Sequence, residues 1–90
     1  MIHRHVVRRG ALGRAEALAA IGEALEFPDW YGHNLDALYD CLTDLSWLPE
    51  GEHVLVWERG GDPAVRAVLE EARHRLAEVA AKRTLTVADR

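Results

Sequence analysis

Apolar and polar positions alternate along this chain in blocks that predict strand, helix, helix, strand, helix and strand. Residues 2–7, Ile2-His3-Arg4-His5-Val6-Val7, form a short β-branched run that suits a strand. Arg8 to Gly13 reads as a turn. From Arg14 to Leu25, apolar residues Ala15, Leu18, Ala19, Ile21, Ala24 and Leu25 recur at helical spacing, with only Gly22 weakening the pattern. Pro28 disfavours helical backbone at Phe27 and ends that element. A second helix is expected from about Asn34 to Thr43. Asn34 suits its N-cap; Leu35, Leu38 and Leu42 form the inward stripe, with Cys41 at its edge.

The segment 44–52, with Ser46, Pro49 and Gly51, reads as a loop. His53-Val54-Leu55-Val56-Trp57 is apolar enough for a central strand covered on both faces. After the Gly60-Gly61 turn, Asp62 caps a third helix and Pro63 takes its first position. Val65, Val68, Leu69, Ala72, Leu76, Val79 and Ala80 carry that helix to about Ala81. Thr84-Leu85-Thr86-Val87 closes the chain as a strand. Helices separate each strand from the next, so the expected class is α/β with a small, largely parallel sheet in the order β-α-α-β-α-β.

Ninety residues, 49% of them hydrophobic, suit one small folded domain. A lone cysteine permits no internal disulfide and points to a reducing compartment. With neither a signal-peptide pattern nor a run long enough to span a bilayer, a cytoplasmic protein is expected, with no membrane partner.

Charge changes the picture more than composition does. Between Ala15 and Glu58 there is no lysine or arginine, while the same stretch holds ten acids. The remaining residues carry all eleven basic side chains and five acids, so the total of -4 conceals a strongly polar chain. An undiluted negative field attracts and orients a basic partner. It repels nucleic acid backbones, so no nucleic-acid partner is expected.

The second helix concentrates this field. At 100° per residue, Leu35, Leu38 and Leu42 cover about 60° of arc, and Asp36, Tyr39, Asp40 and Thr43 about 100° beside them. Asp36 sits in the first turn, where the helix dipole favours it by ~0.3–1 kcal/mol. Asp40 lies nearer the wrong end of the dipole, and a like charge four residues away costs ~0.2–0.5 kcal/mol. Asp44 adds another carboxylate where a cation would be preferred. Either this is a solvated acidic face, or it is kept negative for a positive partner. Trp30 and Tyr31 in the preceding loop, with Tyr39 beside the acids, favour the second reading, because such aromatics dominate binding hot spots. Roofing a small core is their structural alternative. Trp57 is expected in the core, while Trp47 suits either setting.

Chemistry finds little support. His33, Asp36 and Asp40 have spacing that would gather ligands for a divalent ion, but no established metal motif accompanies them. This leaves a small carboxylate metal enzyme as a minor alternative, and no cofactor is expected. Cys41 suits an inert buried thiol. Gly60-Gly61 lacks the rest of a nucleotide motif. His3 and His5 on an edge strand, and His74 on the third helix, read as surface residues. The third helix interleaves its arginines with Glu70, Glu71 and Glu78, as a solvated, ion-paired helix does.

The run Pro28-Asp29-Trp30-Tyr31-Gly32-His33-Asn34-Leu35-Asp36-Ala37-Leu38-Tyr39-Asp40-Cys41-Leu42-Thr43 resembles the signature of the barstar family, intracellular inhibitors of secreted barnase-type ribonucleases. Val54-Leu55-Val56-Trp57-Glu58 resembles that family's central strand, and weaker similarity extends to Glu71-Ala72. The resemblance implies one barstar-like domain over residues 1–90, a three-stranded parallel sheet packed by three to four helices. It further implies a non-enzymatic inhibitor, monomeric when free, that forms a 1:1 complex with a basic secreted ribonuclease of the barnase type. The helix and its preceding loop would plug the active site.

By the same resemblance, Asp40 enters the catalytic pocket and Asp36 faces basic residues beside it. Trp30 takes the place of a loop tyrosine, and Asn34, Tyr39 and Thr43 match contact or near-contact positions. Tyr31 and Asp44 flank these positions and belong to the same expected surface. Glu71 matches a carboxylate that reaches the rim. Trp30, Tyr39, His33 and Asp44 replace tyrosine, tryptophan, glutamate and glycine of the family pattern. An immunity module or antitoxin against another basic protein is therefore the alternative. Barnase and its inhibitor are themselves the reference case for charge steering and carboxylate hot spots, so those magnitudes describe that pair and not this chain.

Overall fold

The computed structural model describes residues Met1–Arg90. Its elements are β1 (Ile2–Val6), α1 (Arg14–Ala24), α2 (Leu35–Asp44), β2 (Gly51–Trp57), α3 (Pro63–Glu78) and β3 (Arg83–Asp89). The strands make one sheet in the order β1-β2-β3, and both pairings are parallel. The expected α/β order is thus the observed one, with three helices. His53 stands opposite His3 on one side and Leu85 on the other, which fixes the register of the sheet. Gly51 opens β2 at φ 130°, where a Cβ would lie 2.5 Å from the Met1 carbonyl oxygen. Only glycine lets β1 begin so close.

The sheet is covered on one face. His53, Leu55 and Trp57 of β2 point to the helices and are buried. Leu55 and Trp57 join one core with Leu38, Leu42, Val65, Leu69 and Leu85. Val56 is also buried but lies outside that core, on the face where Ile2 and Val6 remain 68% and 50% exposed. The expectation of a central strand covered on both faces is corrected accordingly.

Helix ends also differ from the sequence reading. α1 closes in a Schellman turn: Phe27 N–H donates to the Gly22 carbonyl at 2.8 Å, with Glu26 left-handed at φ 56°. α3 closes the same way, with Ala81 N–H donating to Leu76 at 3.1 Å and Ala80 at φ 50°. Its last helical residue is therefore Glu78, three short of the expected end, and Val79 is 51% exposed. In α1 the buried residues are Ala17, Leu18, Ala20, Ile21 and Gly22, while Ala15 is exposed. Alanines surround this helix, so spacing alone points to no sharply defined inner face.

Candidate partner-binding site

α2 packs along α3, and the side chains left over on their outer surfaces build the site. Asn34 accepts from Ala37 N–H at 2.8 Å and caps α2, as its position predicted. Leu38, Cys41 and Leu42 are fully buried beneath the helix. Leu35 is only half-buried, so the inner stripe is rotated toward Cys41 relative to the expected one. Asp36 and Asp40 are exposed, with Tyr39 half-buried at the boundary.

Across from them, α3 contributes Val68 and Glu71. Together Leu35, Asp36, Tyr39, Asp40, Val68 and Glu71 line an open groove of about 480 Å³. Glu71, distant in sequence, is thereby brought to the same groove as the two α2 aspartates. Ion pairs form elsewhere: Arg8–Glu23, Arg14–Asp62, Arg66–Glu70, Arg66–Asp89, Arg73–Glu70, Lys82–Glu50 and Arg90–Glu58. Asp36, Asp40 and Glu71 take part in none of them. A fold that contains eleven basic side chains leaves these carboxylates unneutralised.

The field is felt locally. Burial pushes the Cys41 thiol up, and the charges of Asp40 and Asp44 add to that shift. Asp44, the last residue of α2, is exposed and accepts from the Ser46 hydroxyl at 3.2 Å. The Thr43 hydroxyl donates to the Tyr39 carbonyl at 2.8 Å, so its hydrogen is already engaged within the helix. Arg14 shares a second open pocket with Asp36 but pairs with Asp62, the N-cap of α3, at 3.3 Å.

The preceding loop displays one aromatic and buries the next. Trp30, in the loop that leads into α2, is 63% exposed. Tyr31, expected as a contact residue, is only 6% exposed and belongs to the core. Its hydroxyl donates to the Leu18 carbonyl at 2.9 Å, and its ring meets Phe27 edge-on at 4.7 Å. Trp47 donates to the Leu25 carbonyl at 2.9 Å and packs on Phe27, which gives it the roofing role. Tyr31 thus anchors the loop so that Trp30 is presented. His33, at φ 53°, rests 4.6 Å from the Tyr31 ring. No three His, Cys, Asp or Glu side chains converge as metal ligands, so His33, Asp36 and Asp40 do not form the ligand set their spacing suggested.

A family model described as Barstar (barnase inhibitor) matches residues 1–89. The chain belongs to the barstar family. A protein of Bacillus subtilis (strain 168), named "Putative ribonuclease inhibitor YrdF", is 63% identical over 27 residues. That stretch spans 30% of this chain and 30% of the Bacillus protein, under a third of either. For a barstar-family fold, the groove between α2 and α3 is the feature whose residues the sequence signature contains, apart from the α3 contribution.

Proposed function

We propose that this chain inhibits a ribonuclease by occlusion, using the acidic groove between α2 and α3. The observation that carries the reading is the gathering of Asp36, Asp40 and Glu71 on one groove with no internal cation to neutralise them. A ribonuclease must hold phosphates, so its active site is basic and concave. Carboxylates on a rigid helix imitate those phosphates, and bidentate contact with arginine suits them. The exposed Trp30 offers an apolar contact from the preceding loop, and Asn34 fixes the helix start rather than making the main contact. Membership of the barstar family supports a ribonuclease as the partner. The finer reading is a secreted, barnase-type enzyme bound 1:1.

The test is direct. The purified chain is titrated into a basic barnase-type ribonuclease, and cleavage of an RNA substrate is followed with wild type and Asp40→Ala in parallel. Stoichiometric loss of cleavage with wild type, and a large shift for the variant, are expected. Tight binding that leaves cleavage intact would transfer the assignment to a binding module for another basic protein. Equal inhibition by both proteins would remove Asp40 from its proposed role.

A further inference from the structure

Three histidines meet at one point of the sheet, and nothing in the proposed site uses them. His3 and His5 of β1 point to the helix-covered face, together with His53 of β2. His53 is fully buried between them, its ring stacked 4.8 Å from His3 and 5.1 Å from His5. The two β1 histidines are therefore not the surface residues that an edge strand suggested.

Hydrogen bonding dictates where the protons lie. Nε2 of His53 is 2.8 Å from the Pro49 carbonyl oxygen, which can only accept, so His53 carries its proton there. Nδ1 of neutral His53 is then an acceptor, and His5 donates to it from Nε2 across 2.9 Å. Between those facing nitrogens there is room for one hydrogen. A pair protonated on both rings would set two N–H groups against each other and must separate. Nε2 of His3 is buried without a partner, so a proton placed on it would have no acceptor.

We propose that this imidazole stack makes the fold acid-labile, because the facing His5 and His53 nitrogens leave room for only one hydrogen and the buried His3 nitrogen faces no acceptor. The groups acting on His5 lie on β1, β2, α1 and the loop after α1. Burial holds it below its ordinary value of 6.5, and His53 on β2 pushes the same way. The Ala24 backbone at the end of α1 opposes this; His3 lowers it further, and Glu26 in the loop after α1 raises it. A histidine held low when folded contributes stability that is complete above 6.5 and is lost as pH falls through its folded value. β1 is an edge strand paired to β2 alone and carries His3 and His5, so its docking is what acid would weaken.

Urea unfolding of the whole chain at pH 7.5, 6.5 and 5.5 tests this, with wild type, His74→Gln and the double variant His3→Gln/His5→Gln compared. Each proton the native state fails to bind raises the unfolding constant by up to about tenfold per pH unit. Wild type and His74→Gln are expected to show that rise below pH 6.5, and the double variant at most half of it. An equal rise in all three would overturn the proposal. If the double variant does not fold, calorimetry of wild type near pH 5.7 in buffers of different ionisation enthalpy gives the proton count. Uptake of at least about one proton on unfolding supports the stack as a switch, and zero uptake overturns it.

Discussion

The ring of Tyr31 lies against Gly22, where a Cβ would fall 2.8 Å from Tyr31 Cε2. One bare turn of α1 therefore seats the residue that anchors the loop carrying Trp30. In an open helix Gly22→Ala would gain up to ~1 kcal/mol from propensity. Here the ring must move, and overpacking of this kind costs about 1–3 kcal/mol. A lower urea midpoint for Gly22→Ala is the expected result, with a change in Trp30 fluorescence as the loop shifts.

Tyr31 also gives the fold an alkaline limit. Burial pushes its phenol up to about 12, with Cys41 adding to the shift, against an ordinary value of 10.0. A group raised on folding contributes stability that is complete below its unfolded value and lost as pH rises through its folded one. Between pH 10 and 12 the wild-type unfolding constant should therefore climb by up to about tenfold per unit more steeply than that of Tyr31→Phe. Below pH 10 the same variant should be weaker by about 1 kcal/mol, having lost the hydrogen bond to Leu18.

Asp40 separates binding from folding. Its neighbours at four-residue spacing, Asp36 and Asp44, are both acidic, so Asp40→Asn should leave stability unchanged or raise it by ~0.2–0.5 kcal/mol. Against a cognate ribonuclease, loss of one member of a buried charge pair costs about 2–5 kcal/mol, chiefly as faster dissociation. Thermal unfolding and surface plasmon resonance on the same preparation would show the two effects moving apart.

Glu71 should behave differently from Asp40. It is an exposed groove residue on α3, and rim charges act mainly on association. Glu71→Gln is expected to slow association by less than about tenfold and to flatten its dependence on salt, with dissociation nearly unchanged. Stopped-flow rates at low and high ionic strength would measure this.

Ala80 offers a stabilising change away from the site. It holds the left-handed position of the α3 Schellman turn, at φ 50°, and is exposed. Left-handed backbone costs an L-residue roughly 1–2 kcal/mol, part of which glycine returns through its greater freedom when unfolded. Ala80→Gly should raise stability by about 0.5–1 kcal/mol, read as a higher urea midpoint with an unchanged slope.

Sequence by itself determined the element order, the Asn34 and Asp62 caps, the central place of β2 and the acidic face of α2. Each of these follows from short-range rules: capping chemistry, hydrophobic period and the sign of neighbouring charges. The family signature from Pro28 to Thr43 was legible for the same reason, being one continuous segment. Tertiary structure decided what depends on distant partners. Tyr31 and Trp30 are adjacent aromatics that no local rule distinguishes, and only the gap above Gly22 chose which to bury. Charge pattern shows Glu71 only as one acid among the alternating charges of α3; the family resemblance matched it to the rim, and helix packing is what sets it on one groove with Asp36 and Asp40. His53 lies forty-eight residues from His5, and only parallel register could stack them. Burial and pairing at long range come from the whole chain closing on one core, which no local window of residues contains.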